Sequence, residues 1–399
     1  MFADNFTIYG KCLGLSDDSG VCTLDCVISM ASNTRFSNID LMESIAMFFV
    51  IVYHTITDVP YDIMEDGATI VCVNYCIRSL LSVCVPLFYF CNGFLLFNRS
   101  FVLQRHLYKT AHLLLLSLFW GLISAYWSQY IIHYVEPVGL KEFVALSFLT
   151  RPGWNNHLWF LHTLIIIYIF FPFLKIVFDR SQAVFKFGLI MTCVVILGNN
   201  LVGEIATIIS HKSYEYFNFL GPYNPINMVC RHALMFFMFG GFIGLYHKPI
   251  SSFIKAHRRL IFPFSILLIL IMCVMLGGYG IALSNIRGKT WDNVFEGYGT
   301  VFTAVNVLCF YVLTTCYTFS HTDGLIHRIV YLISLNTLGI YFLHDFFVKA
   351  YYIYIYPILS QNNLINNHFE KLLLCTIIIL LSLLVSLTMK KIPGVKQLI

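Results

Sequence analysis

Charge is what this 399-residue chain has least of. Only 11% of its residues are charged, against about 25% in an ordinary soluble domain. Hydrophobic residues make up 58%, and mean hydropathy is +0.77. The excess of basic over acidic residues is small, 25 against 20, and is better explained by membrane topology than by a nucleic-acid partner. A glycine-rich phosphate loop and a dinucleotide-binding fingerprint are both missing. No basic stretch followed by an apolar core opens the chain, so its start does not read as a signal peptide. Residues 1–34 are expected to form a poorly ordered tail, or to lie upstream of a true start at Met30. The 13 cysteines give no framework: ten of them lie in apolar segments as small packing residues. Cys22 and Cys26 have no second ligand pair, so no metal site is expected.

What the chain has in quantity is long apolar runs. Ten segments are long enough to span a bilayer at about 20 residues each: 39–57, 70–97, 107–132, 158–178, 187–208, 230–247, 259–282, 298–317, 330–356 and 371–389. The second and ninth are long, which predicts tilt or a kink. The expected fold is an all-α integral membrane protein with about ten transmembrane helices, built as one domain over 35–399. An N-terminus inside places Arg99, Arg105, Lys109, Arg258, Arg259, Lys390 and Lys391 on the cytoplasmic side. The first outer loop then carries Asp58, Asp62, Glu65 and Asp66 with no Lys or Arg. The positive-inside rule thus puts both termini in the cytoplasm.

Polar residues inside the apolar runs are the functional signal, because an ionisable group in a span is expensive and needs a partner, a pore or a site. In the first run, eleven residues at about 100° each bring His54 about 20° from Glu43, about 16 Å along the axis. Asp40 lies on the same side. The second run holds Arg78 and ends at Asn92-Gly93, where the glycine permits either an opened helix or close backbone approach. Arg105 and Lys109 share a helix face at the inner end of the third. The fourth opens with Trp154, His157, Trp159 and His162, of which Trp159 and His162 share a face. The sixth carries Arg231 and His232 and then Gly240, Gly241 and Gly244, read as packing residues. In the ninth, Tyr341 and His344 share a face, while Asp345 and Lys349 form an i,i+4 pair read as a structural ion pair. Alternating directions place His54, Arg78, His157, His162, Arg231, His344 and Asp345 from mid-membrane towards the outer side. Glu43, Asn92, Arg105 and Lys109 fall towards the inner side, giving a polar path with a cationic inner mouth.

Four elements in order carry a resemblance: Ile39-Asp40-Leu41 through His54; Pro86-Leu-Phe-Tyr-Phe-Cys-Asn92-Gly93; His157-Leu-Trp159-Phe-Leu161; and Leu338-Gly339-Ile-Tyr341-Phe-Leu-His344. With these the chain resembles the membrane acyltransferase 3 family from about Asn38 to about Met389. The resemblance implies a multi-pass protein of the bacterial plasma membrane that moves an acyl group, usually acetyl, from cytoplasmic acyl-CoA to a hydroxyl of a cell-surface or lipid-linked polysaccharide. It implies acetyl-CoA as donor substrate, with acyl-CoA, the glycan acceptor and membrane lipids as partners, and no nucleic acid. The family pattern in the first helix is a basic residue, ten residues, then His. Here the His is His54 but the basic position holds Glu43. Another cation (Arg78, Arg105 or Arg231) takes over the role, or Glu43 orients a cationic partner, or the activity differs. The usual Ser-Gly of the second helix is Asn92-Gly93.

Acyl transfer to a hydroxyl needs a base, oxyanion donors and aligned substrates. The expected assignment puts His54, Glu43 and His344 in the catalytic set, with His54 as base. Asn92, Arg78, Trp159, His162, Arg231 and Tyr341 are expected to bind substrate, with Asn92, Tyr341 or Arg231 as oxyanion donors. Arg99, Arg105 and Lys109 are expected to hold the CoA phosphates. Two other readings compete: an exporter of a glycan or lipid-linked sugar that uses the polar path as its route, and a catalytically altered relative that acts as a binding subunit.

Overall fold

The computed structural model describes residues 36–56, 68–147, 156–211, 231–317, 324–361 and 368–399. The expected N-terminal tail, Cys22 and Cys26 lie outside them. The described residues are mostly helical, with no strand among them. In chain order the helices are α1 (Ser37–Ile56), α2 (Ala68–Leu81), α3 (Cys84–Phe97), α4 (Leu103–Tyr126), α5 (Leu140–Ser147), α6 (Trp159–Arg180), α7 (Gln182–Cys193), α8 (Asn199–Ser210), α9 (Arg231–Leu245), α10 (His247–Ala256), α11 (Arg258–Arg287), α12 (Val301–Cys316), α13 (Gly324–Leu335), α14 (Thr337–Ala350), α15 (Tyr356–Gln361) and α16 (His368–Lys391).

The exterior of the bundle is apolar where that of a soluble protein would be polar. Large apolar side chains face outwards along the long helices, among them Leu115, Phe173, Leu260, Leu270, Val274 and Leu384. Small polar ones are sealed inside: Ser79, Ser82, Thr303, Asn306, Ser382 and Ser386. Water would penalise such an exterior. Hydrocarbon favours it, and small or hydroxylated residues then let helices approach and bond to one another. The protein is therefore a multi-pass membrane protein.

Each of the ten segments read from the sequence coincides with helix. Six helical stretches are long and apolar enough to cross a membrane, or up to eight if each of two bent pairs counts as one span. The remaining two segments are α1, which carries Asp40 and Glu43, and α12, an apolar helix of 16 residues. The sixth and ninth segments are not straight spans. α9 and α10 meet at 76°, and the helices around Asn336 meet at 83°. At that second break Lys390 Nζ donates to Asn336 Oδ1 (2.7 Å) and to the Leu335 carbonyl (3.4 Å), satisfying groups the interrupted helix leaves open.

Two packing choices position the site. α3 and α9 make the most extensive helix–helix contact in the bundle. A Cβ on Gly93 would lie 1.8 Å from the Phe237 carbonyl oxygen, and one on Gly240 would lie 1.9 Å from that of Phe90. Gly93 thus serves backbone approach, and Asn92-Gly93 does not open the helix: α3 continues to Phe97. Gly241 and Gly244 meet Phe97 and Asn98 in the same seam. α1 is the hub, packed against α2, α3, α12, α13, α14 and α16, so its polar residues face protein on nearly every side.

Candidate active site

Three histidines from three elements converge at the C-terminal end of α1. The His54 ring lies 5.4 Å from that of His344 on α14, which lies 5.9 Å from that of His157. His157 arrives on the 3₁₀ turn Asn156–Leu158 that leads into α6. The Tyr341 hydroxyl donates to the His157 carbonyl and pins that turn to α14. His344 Nδ1 lies 2.7 Å from the Tyr341 carbonyl and 3.3 Å from that of Ile340. Both neighbours are acceptors, so Nδ1 carries the proton and Nε2 holds a lone pair. Nε2 is buried with no hydrogen-bond partner among the described residues. No hydrogen bond holds the half-buried His54 ring among the described residues either. Two imidazoles therefore stand side by side, one with its tautomer fixed by α14 and one free to engage a substrate.

A charged file backs the histidines. Asp345 lies 2.6 Å from Lys349 Nζ and 3.6 Å from His157 Nδ1. Lys349 also donates to Ser128 Oγ at 3.2 Å. Ser128 sits in the π-helical turn Trp127–Ile131 that ends α4, and Lys349 precedes a second such turn, Tyr351–Ile355. Turns of this kind recur at functional sites because they re-aim side chains out of the regular register. The Asp345–Lys349 pair read from spacing is present, and it also faces His157, which spacing could not show.

A second polar group flanks His54. The neighbouring Tyr53 donates to Asp292 Oδ2 at 2.6 Å, and Arg78 Nη2 meets Asp292 Oδ1 at 3.0 Å. Arg78 Nε donates to Asn293 Oδ1 at 3.3 Å, and Asn293 in turn holds the Tyr75 carbonyl and Ser79 Oγ, each at 2.8 Å. Among the described residues these bonds use two of the five guanidinium N–H groups. Asp292 sits on the segment 288–300 between α11 and α12. There burial raises the Glu296 carboxyl above the ordinary range, against the lowering influence of Arg287.

The other residues expected at the site are distributed as follows. Glu43 shares the Ser334 hydroxyl with Asp40: Ser334 Oγ lies 2.8 Å from Asp40 Oδ1 and 3.0 Å from Glu43 Oε2. That places Glu43 near the start of α1, about three turns from His54. Asn92 bonds within the protein, donating to the Phe88 carbonyl (2.8 Å) and accepting from Tyr168 (2.8 Å). Asn92 and Tyr341 thus both use their polar groups for helix packing. His162 turns to α4, where its Nε2 meets Ser117 Oγ at 2.7 Å. Trp159 packs edge-on against Phe295, 5.4 Å between centroids. The Arg231 side chain lies outside the described residues. Arg105 at the start of α4 is exposed, while Arg99 and Lys109 are half-buried.

Tyr53, Asp292 and Asn293 were missed in the sequence. Asp292 lies 239 residues from Tyr53 in a stretch with no periodicity, and a lone Asp between two runs carries no signal of its destination. His157 was visible in its motif, but its link to Asp345 joins positions nearly half the chain apart.

Fold and site together define a membrane-embedded protein with a histidine-centred polar site at one end of its hub helix. A family model for an acyltransferase domain matches residues 36–389. The chain belongs to the membrane acyltransferase 3 family. No curated protein and no solved structure matches it.

Proposed function

We propose that the protein is an O-acetyltransferase of the bacterial plasma membrane. It takes acetyl from cytoplasmic acetyl-CoA and places it on a hydroxyl of a cell-surface or lipid-linked polysaccharide, with both termini in the cytoplasm. The observation that carries this reading is the half-buried His54 imidazole, with no hydrogen bond of its own, beside the tautomer-fixed His344.

His54 accepts the proton of the acceptor hydroxyl as its oxygen attacks the thioester carbonyl carbon. The carbonyl oxygen becomes an oxyanion. Asn92 and Tyr341 are engaged within the protein; Arg78, whose guanidinium lies 6.0 Å from the ring of Tyr53, the residue before His54, supplies the donor. When the tetrahedral intermediate collapses, the C–S bond breaks, the CoA sulfur takes the proton back from His54, and the sugar ester and free thiol result. Asp345 steadies His157, and through the His157–His344 contact it holds the second imidazole in place. Arg78 thereby fills the cationic role that Glu43 leaves vacant in α1. Arg99, Arg105 and Lys109, at the far end of the bundle, hold the CoA phosphates.

Proton NMR of glycan from cells lacking the gene, complemented with wild type or His54→Ala, tests this. The O-acetyl signal is expected with wild type only, with His54→Ala reduced by about 10²–10⁴-fold. Unchanged acetylation with less surface glycan would replace this reading with export.

A further inference from the structure

Away from the histidine site, between α8, α9, α11 and the segment 288–300, lies a cavity of about 300 Å³ lined by Glu204, Asn200, His232, Trp291, Arg287 and Glu296. None of these belongs to the machinery described above. Glu204 is its anomaly. The residue is only 3% exposed, and its Oε2 has no hydrogen-bond partner among the described residues. An unmatched buried carboxyl costs stability and gives the empty protein nothing in return. Such a group, aimed into a cavity, fits a ligand that completes its bonding. A π-helical turn at Val194–Gly198 immediately precedes α8 and sets the register in which Asn200 and Glu204 face the cavity.

The lining selects the ligand class. Trp291 and Tyr279, rings 5.2 Å apart and edge to face, give an apolar wall. Glu204 offers a hydroxyl-binding carboxyl, while Asn200 donates to the Gly299 carbonyl at 2.7 Å and holds the wall beside it. At the mouth Arg287 and Glu296 pair at 3.3 Å. Arg287 disfavours an amine, and the two carboxyls disfavour an acid or a phosphate. A neutral polyhydroxylated ring matches an aromatic wall with polar groups of both kinds. The volume is at the lower end of the range of about 300–1,000 Å³ for small-molecule sites, room for one ring and not a chain. The location connects it to the chemistry. Trp291 faces the cavity, while the next residue, Asp292, bonds Tyr53 beside His54.

We propose that this cavity binds one neutral sugar ring of the acceptor and thereby registers the glycan against the His54 site. The proposal rests on the reading of the protein as a glycan acyltransferase. The test uses the full chain in detergent micelles and saturation-transfer NMR, with the methyl glycosides of glucose, galactose, mannose, rhamnose and N-acetylglucosamine as probes. At least one is expected to receive saturation from wild type and from His54→Ala. Glu204→Leu should weaken that binding by about tenfold while raising the melting temperature of the empty protein, because it removes an unmatched polar group. Val195→Trp, at a half-buried position that lines the cavity, should abolish binding by filling it. Absence of saturation transfer to every probe would overturn the proposal, as would wild-type binding in both cavity variants. A wild type that binds a probe but never acetylates glycan would leave the cavity assignment standing and remove the acyltransfer reading. A wild type that acetylates, with an acceptor KM that neither variant moves, would do the reverse.

Discussion

Replacing Asp345 with Asn probes the charged file behind the histidines. The carboxylate lies 2.6 Å from Lys349 Nζ, and both side chains are largely buried. At an effective dielectric constant of about 20, that separation corresponds to about 6 kcal/mol of attraction, much of it offset by the cost of taking both charges from water. Asn keeps the shape and a carbonyl oxygen but takes away the negative charge that lies against the ammonium. Breaking a buried pair in this way costs about 3–5 kcal/mol, and the retained carbonyl puts Asp345→Asn at the lower end. Thermal unfolding in detergent reads the loss. Transfer measured on the same sample should fall about 10–100-fold, because His157 loses the carboxylate that faces it at 3.6 Å. The double variant Asp345→Leu with Lys349→Met separates the two roles. It should recover stability to within about 1 kcal/mol of wild type and remain deficient in transfer. Recovery of both would reduce Asp345 to a structural ion pair, and an unshifted melting temperature in Asp345→Asn would refute the burial cost itself.

Other expectations follow from single contacts. Gly93→Ala should destabilise the protein by about 1–3 kcal/mol, read as a lower melting temperature, since its Cβ would meet the Phe237 carbonyl oxygen at 1.8 Å and force α3 and α9 apart. Arg105→Ala combined with Lys109→Ala should raise the KM for acetyl-CoA by about tenfold with kcat nearly unchanged; an unmoved KM would return both residues to a topological role. Arg78→Gln should lower kcat by about 10²–10³-fold with a smaller change in acceptor KM, whereas a purely structural Arg78 would lose stability and keep kcat in the surviving fraction.

Legibility in the sequence followed periodicity and failed where contacts cross the chain. Apolar runs located helix in all ten segments because a membrane helix must carry its own hydrophobic surface and satisfy its own backbone. The bend at Asn336 falls in the ninth segment, whose length predicts a kink, whereas the bend at Tyr246 was not expected. The first break is followed by Pro249, which cannot bond to the Leu245 carbonyl at the end of α9; the second is completed by Lys390 from a distant helix. A shared helix face was a weak guide to a shared destination. Trp159 and His162 share one, yet Trp159 packs on Phe295 and His162 bonds Ser117. Asn92 and Tyr341 illustrate the opposite limit: both lie in the elements that carry the family resemblance, and both spend their polar atoms on neighbouring backbone or side chains. Asp345 and Lys349 were legible as a pair because four residues separate them, while His157 joined them only through the fold.

The departure at Glu43 becomes coherent when the ends of α1 are considered together. At one end Asp40 and Glu43 share Ser334 from α13, so an acidic residue there is part of the seam that anchors α1 to the bent α13–α14 pair. At the other end His54 needs a cation nearby if an oxyanion is to form, and α1 supplies none. α2 brings Arg78, and the segment 288–300 fixes it through Asp292 and Asn293. That segment carries Trp291 on the cavity wall and Asp292 on the bond to Tyr53. A sugar seated against Trp291 would therefore load the same short stretch of backbone that holds Arg78 in register. Acceptor binding and oxyanion stabilisation are then mechanically linked, and Asp292→Asn should raise acceptor KM and lower kcat together, with the cavity itself untouched.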